Sequence, residues 1–169
     1  TRQVYPKGEN KNIKINSFRK KLCGRYRPGH FEAVVDVIDR FIKIIRPKKI
    51  YFGEKDMQQL KIIDDFVKKN HSETKVIPCK TIREKSGVAF SSRNYLLSEK
   101  EKIIASRIFK LLTNKKQNLI KNKFSLKILK RMIYNLGVRK IDYIEVLDVN
   151  KLIKLFKKKI KYKIFIAYY

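Results

Sequence analysis

Residues 46–79 constrain the fold most. A short apolar run, "KIYFG" (49–53), precedes "DMQQLKIIDDFVKKN" (56–70), and "TKVIP" (74–78) follows. The outer segments read as short buried strands. The middle one reads as a helix with Asp56 at its start, where a negative charge suits the helix dipole. A further helix is predicted over 30–45: Phe31, Val34, Val35, Ile38, Phe41, Ile42 and Ile45 form one apolar face, with Asp36, Asp39, Arg40 and Lys43 mostly opposite. Helix, strand, helix, strand is the grammar of a parallel α/β sheet. Ligands of such sheets bind beyond the carboxyl ends of the strands, where Gly53, Lys55 and Asp56 lie.

The flanking segments are less regular. "RQVYP", a "KGEN" turn and "NIKI" predict a short hairpin or edge pair, because Pro6 and Gly8 punctuate two extended pieces. "SFRKKL" predicts one or two helical turns, and "CGRYRPGHF" a loop. After Pro78 the grammar changes. "CKTIREKSGVAFSSRNYLL" has no clear period and reads as a long loop with local turns. Ser98 caps a helix with Glu99 and Glu101 in its first turn. Residues 119–137 read as a basic amphipathic helix ending at Gly137. "IDYIEVLDV" and "KIKYKIFIAYY" alternate like strands. A domain boundary is expected near residue 80, giving an α/β unit (1–80) and a smaller α+β unit (81–169). The apolar ending "IFIAYY" is expected to stop in mid-strand or just after one.

Composition limits the partners. The 169 residues, 43% of them hydrophobic, suffice for one ordinary core or two small ones. Cys23 and Cys79 are far apart and lack CxxC spacing, against a zinc site or a disulfide scaffold. No run of about 18 uncharged apolar residues predicts a membrane span, and the opening residues lack the apolar stretch of a signal peptide. A cytoplasmic protein without a membrane partner is expected. The net charge of +28 attracts polyanions. The lysines are nevertheless spread along the chain, as solvated faces are, rather than gathered in a binding stripe.

Three clusters carry chemistry. In "GEKD" (53–56), Gly53 lets a phosphate or ribose approach the backbone, Lys55 offers a compact charge to a phosphoryl oxygen, and Asp56 can contact a ribose hydroxyl, an amine or a metal. The same residues also suit an ordinary capped helix start. In "SSRN" (91–94), two hydroxyls and the bidentate guanidinium of Arg93 can grip phosphates, as the flexible loop of class I aminoacyl-tRNA synthetases does. An ordinary capped turn has the same composition. "RYRPGHF" sets Arg25, Arg27 and His30 before a helix, either an anion site or a capping loop. His71, after "KKN", reads as a surface residue. Neither histidine has a metal-ligand partner at useful spacing, and neither a Walker loop nor a nucleophile elbow is present.

Taken in order and spacing, "RPGHFEAVVDVI", "FGEKDMQQL" and "IREKSGVAFSSRNYL" resemble the pantothenate synthetase (pantoate–β-alanine ligase) family. The likeness starts near "VYPKG", runs through "SSRNYLLS" and resumes more loosely at "IDYIEVLDV". It implies a Rossmann-like nucleotidyl-transfer fold, a homodimer, and an ATP- and Mg²⁺-dependent ligation of pantoate to β-alanine through a pantoyl-adenylate. It implies an ATP site of Gly53, Glu54, Lys55, Asp56, Ile82 (backbone to adenine), Phe90, Ser91, Ser92 and Arg93. Lys55, Arg93, Ser91 and Ser92 would act on the phosphates, and Mg²⁺ would arrive on ATP. Gln59 would bind pantoate, with Val34 and Val37 against its methyl groups. No specific nucleic acid is implied.

The sequence departs from the family pattern at several points. Ser86 replaces an acidic residue, and Val88 a leucine, before the serines. Phe90 directly precedes them. Asp36 stands where a small or β-hydroxy residue is usual, and Ala33 where glycine is. The family's His-x-x-His signature and a further pantoate glutamine lie in a segment preceding "VYPKG", so the chain is expected to be a fragment, inactive alone. Two other classes compete: a nucleic-acid module built on Lys121, Lys123, Lys127, Lys130 and Arg131, and a sister adenylyl-transferring enzyme with another acid.

Neighbouring residues on a helix point about 100° apart, so only one of Gln58 and Gln59 can face a cleft. Gln58 shares its face with Lys61, Ile62 and Asp65, a largely polar set. Gln59 shares its face with Ile62, Ile63 and Phe66. Gln59 is therefore expected at the ligand and Gln58 to be dispensable.

Overall fold

The computed structural model describes residues 4–5, 13–121, 123–149 and 162–169. Most of the expected N-terminal hairpin lies outside these residues, and Ile13–Asn16 form no regular strand. The chain divides into two compact units, residues 1–80 and 81–169.

The first unit holds α1 (His30–Ile45), β1 (Lys49–Gly53), α2 (Met57–Asn70) and β2 (Lys75–Cys79). The two strands are parallel, with Ile50 opposite Val76 and Gly53 opposite Cys79, so both carboxyl ends lie side by side. The fold class is the α/β arrangement read from the sequence, with a parallel strand pair in this unit and an α+β unit next along the chain. Phe31, Val35 and Ile42 of α1 pack with Ile62, Ile63, Phe66 and Val67 of α2, and Ile50, Phe52 and Val76 join from the strands. Burying such side chains contributes roughly 1.5–3 kcal/mol each.

Three side-chain expectations on these helices are overturned. Phe41 and Ile45 are exposed, whereas Asp36 and Asp39 are buried. Charge pairing makes that burial tolerable: Arg40 Nε lies 2.9 Å from Asp36, and Lys43 Nζ 2.6 Å from Asp39. His71 is not a surface residue. Its Nε2 lies 2.7 Å from Asp39 Oδ1 and its ring packs near Phe66, tying the end of α2 to α1.

The second unit holds α3 (Glu99–Ile120), α4 (Leu126–Asn135), β3 (Ile141–Asp148) and β4 (Tyr162–Tyr168). The strands are antiparallel, with an irregularity between Ile141 and Tyr143. Ile108, Leu119, Leu129, Ile133, Val138 and Ile141 form its core. Ser98 caps α3 as expected, in a reciprocal box with Glu101. The single basic helix expected over 119–137 is divided. α3 runs on to Ile120, and Ser125 caps a new helix by accepting the Lys127 N–H. Lys121, Lys123, Lys127, Lys130 and Arg131 thus lie on the connection after α3 and on α4, not on one continuous helical stripe.

Candidate functional site

One candidate cluster, in the first unit, is built on the carboxyl end of β1. The chain leaves Gly53 through a tight turn, Glu54–Asp56, and enters α2 at Met57. Gly53 has an ordinary extended backbone (φ −70°, ψ 134°), and a Cβ placed there would meet no atom within 4 Å. Neither conformation nor packing therefore calls for glycine at this point. Lys55 and Asp56 are exposed. Among the described residues, Lys55 has no carboxylate partner, unlike Lys43, Lys68 and Lys69, each paired with an aspartate four residues earlier.

The amino-terminal end of α1 joins this turn. Gly29, in the left-handed region at φ 76°, precedes His30, the first residue of α1. Burial lowers the His30 imidazole below its ordinary pKa, the Arg27 guanidinium lowers it further, and the Asp56 carboxylate opposes both. The charge of Asp56 thus reaches His30, so "RPGH" and "GEKD" belong to one end of the unit. The histidine–aspartate pair His71–Asp39 is separate. It lies by the far end of α2, where a cavity of about 380 Å³ opens among Asp39, Lys43, Asn70 and His71.

The expectation for Gln58 in the glutamine pair is overturned. Gln58 is buried. Its Nε2 donates to the carbonyls of Phe18 and Lys21, both at 2.6 Å, and its Oε1 accepts the Cys23 N–H at 3.1 Å. The side chain seen as lying on a polar, dispensable face instead clamps the segment 18–23 onto α2. That face is covered by a loop whose position the helical period cannot report. Gln59 is half-buried, and among the described residues its carboxamide has no hydrogen-bond partner. Val34 is half-buried against the core cluster, and Val37 is half-buried.

A second candidate cluster lies within the second unit. Residues 82–90 form a small hairpin: Arg83 bridges Ala89, Phe90 N donates to the Ile82 carbonyl, and Glu84 N to the Val88 carbonyl. Gly87 (φ 89°) makes its turn, and a Cβ there would lie 2.1 Å from the Phe109 ring. Arg83 stacks on the same ring, 4.3 Å from its centroid. Ser106 Oγ of α3 donates to the Ser86 carbonyl at 2.7 Å. The long irregular loop expected here therefore has internal order. Its anchors are single side chains scattered over α3 and the turn, which leave no periodic trace.

Ser91 then caps a 3-10 turn, Ser92–Leu96, by accepting the Arg93 N–H at 3.3 Å. Ser92 and Arg93 are exposed, as are the side chains of Ile82 and Phe90. Among the described residues the guanidinium of Arg93 has no partner, and neither does the Ile82 N–H. Gln58, Asn94 and Glu84 are the residues that sequence reasoning missed. Only Asn94 had a signal, its place inside "SSRN".

A family model described as "Pantoate-beta-alanine ligase" matches residues 1–169. The chain is 38% identical over 169 residues to a pantothenate synthetase of Clostridioides difficile, covering 98% of this chain and 59% of that protein. It is 38% identical over 153 residues to one from Vesicomyosocius okutanii, covering 89% and 54%. The chain thus spans about half the length of the curated relatives it matches. The crystal structure of pantothenate synthetase from Thermus thermophilus superposes with a TM-score of 0.83 at 26% identity, over 99% of this chain and 62% of that one. A pantoate–β-alanine ligase from Francisella tularensis, complexed with "Beta-gamma ATP" and β-alanine, gives 0.73 at 29% identity, over 98% and 61%.

Proposed function

We propose a function from one premise: the chain belongs to the pantoate–β-alanine ligase family. In a protein of the relatives' full length, it contributes to an ATP-dependent ligation of pantoate to β-alanine that yields pantothenate, AMP and pyrophosphate. The observation that carries this reading is the Gly53–Asp56 turn. It presents an exposed lysine without a carboxylate partner just beyond a parallel strand's carboxyl end, beside a glycine that the fold itself does not require.

In the first step, pantoate's carboxylate attacks the α-phosphorus of ATP and pyrophosphate leaves. Anion meets anion, so catalysis depends on neutralising charge as it spreads over the phosphoryl oxygens. Lys55 and Arg93 supply fixed positive charge, and the hydroxyls of Ser91 and Ser92 donate hydrogen bonds. Ile82 offers its free N–H to the adenine, beside Phe90. Gly53 lets the nucleotide approach the backbone, flanked by Glu54 and Asp56. Gln59 holds pantoate's hydroxyl and carboxylate, with Val34 and Val37 against its methyl groups. In the second step, the amine of β-alanine attacks the acyl-adenylate carbonyl. A C–N bond forms and AMP leaves. Orienting the adenylate and keeping water away account for much of this step.

Among the described residues, no group of three His, Cys, Asp or Glu side chains could hold a metal. From family membership we infer a magnesium ion carried on the phosphates of ATP. Magnesium, when bound there, supplies further neutralising charge. The homodimer and the cytoplasmic setting are proposed from family membership; among the described residues no helix is long and apolar enough to cross a membrane.

The test is product release by a full-length protein that carries this chain. AMP formation should need pantoate and β-alanine together and should match pantothenate one to one. AMP release with an unrelated acid in place of pantoate would favour the sister-enzyme reading instead.

A further inference from the structure

We propose that Asn94, acting through Glu84, is the positioning residue of the Ser91–Arg93 loop; this rests on the phosphate-binding reading of that loop. The Asn94 side chain is half-buried, and its Nδ2 donates to Glu84 Oε1 at 2.9 Å and to the Ala89 carbonyl at 3.0 Å. Both neighbours are acceptors only, so the amide nitrogen must face them and both of its protons are used.

Glu84 is in turn fixed. Its backbone N–H closes the hairpin onto Val88, and its Oε2 accepts the Ser86 hydroxyl at 3.3 Å. The Ser86 carbonyl is held by Ser106 of α3, and Arg83 lies between the Phe109 ring and the Gly87 carbonyl, to which it donates at 2.9 Å. A continuous set of contacts therefore runs from α3 through the hairpin to Glu84 and Asn94. It ends one residue from Arg93, whose own side chain touches no described partner.

Arg93 cannot orient itself. A long exposed arginine keeps much rotamer freedom, and only its backbone is available to aim it. The Ser91 hydroxyl on the Arg93 N–H, the Ser91 carbonyl on the Asn94 N–H and the Asn94 amide on the hairpin set that backbone. The two Ser91 bonds are local and move with the turn. Among the described side-chain hydrogen bonds of this turn, those of the Asn94 amide tie it to the hairpin. Pre-organising a ligand-binding side chain in this way raises affinity by lowering the ordering cost on binding.

The test compares five variants of a full-length protein carrying this chain. Asn94→Asp keeps the shape but turns a carboxylate toward Glu84 and the Ala89 carbonyl. It should raise the KM for ATP about tenfold or more, the scale of a lost hydrogen bond to a charged group, with the KM values for pantoate and β-alanine within twofold. Glu84→Gln keeps an acceptor for Asn94 and should stay near wild type. Combined with Asn94→Asp it offers a donor and should recover part of the ATP affinity. Asn94→Ser, which removes the amide without adding charge, gives the same ordering should Asn94→Asp fail to fold. Equal losses for all three substrates, or no rescue by Glu84→Gln, would overturn the assignment. Arg93→Ala separates the layers. If it weakens ATP binding and Asn94→Asp does not, the clamp is wrong and the phosphate loop stands. If Arg93→Ala leaves ATP affinity unchanged, the phosphate-loop reading falls and the clamp with it.

Discussion

The two candidate clusters, one in each unit, are held in opposite ways. The Gly53–Asp56 turn is positioned by backbone architecture: a parallel strand ends, a helix begins, and whatever lies between them faces outward. The Ser91–Arg93 loop has no such frame. It is positioned by individual side chains, Asn94 on the hairpin and Arg83 and Ser106 on α3. Such a turn tolerates substitution of its own exposed residues. A side-chain clamp does not, because removing one donor leaves its acceptors unmet. The first cluster should therefore fail mainly through its chemical groups, and the second through its supports.

Lys55→Ala sharpens this most. It removes a charge and leaves the strand and helix untouched. Adenylate formation should fall about 100- to 1,000-fold, the usual loss when an electrostatic contact to a reacting group is deleted, with the melting temperature unchanged. A loss under tenfold in a folded protein would remove Lys55 from the chemistry.

The comparison would break at Gln58 if architecture alone held the first unit. Gln58→Glu replaces two donated protons with a carboxylate facing the Phe18 and Lys21 carbonyls. Both carbonyls keep a backbone donor, the Lys21 N–H on Phe18 and the Gly24 N–H on Lys21, so two lost hydrogen bonds at about 0.5–1.5 kcal/mol each predict a destabilisation of roughly 1–3 kcal/mol in a denaturant titration. Gln59→Glu should leave stability alone and raise the KM for pantoate by charge repulsion, with ATP affinity unchanged.

In the second unit, Gly87→Ala forces a methyl into the Phe109 ring at a left-handed backbone position. A cost of about 1–3 kcal/mol is expected, accompanied by weaker ATP binding because the hairpin carries the loop.

The smallest effect tests a contact away from the site. The Ser98 backbone N–H, and then its hydroxyl, hold the Glu101 carboxyl below its ordinary pKa. A depressed carboxyl stabilises the fold above its unfolded pKa, and that contribution is lost as pH falls through the folded value. Glu101→Gln should therefore lower the melting temperature slightly at neutral pH. In acid, where the wild-type carboxyl is also neutral, the difference should vanish.

What the sequence revealed follows the same division. The parallel pair, α1, α2 and the position of Lys55 were legible because apolar period and strand length report them directly. The Ser98 cap was legible because its signature is local. Gln58 was misjudged, since a loop 35 to 40 residues earlier covers its face. Asp39 and His71 were misjudged because their burial depends on each other across 32 residues. The hairpin at 82–90 was missed because single contacts, not a repeating pattern, hold it.

The central claim is that this chain carries the groups that activate pantoate with ATP. Exchange of labelled pyrophosphate into ATP measures that step alone, without β-alanine. In a full-length protein bearing this chain, exchange should require pantoate and should collapse in both Lys55→Ala and Arg93→Ala. Exchange that proceeds without pantoate, or that survives both substitutions in folded protein, would contradict the account.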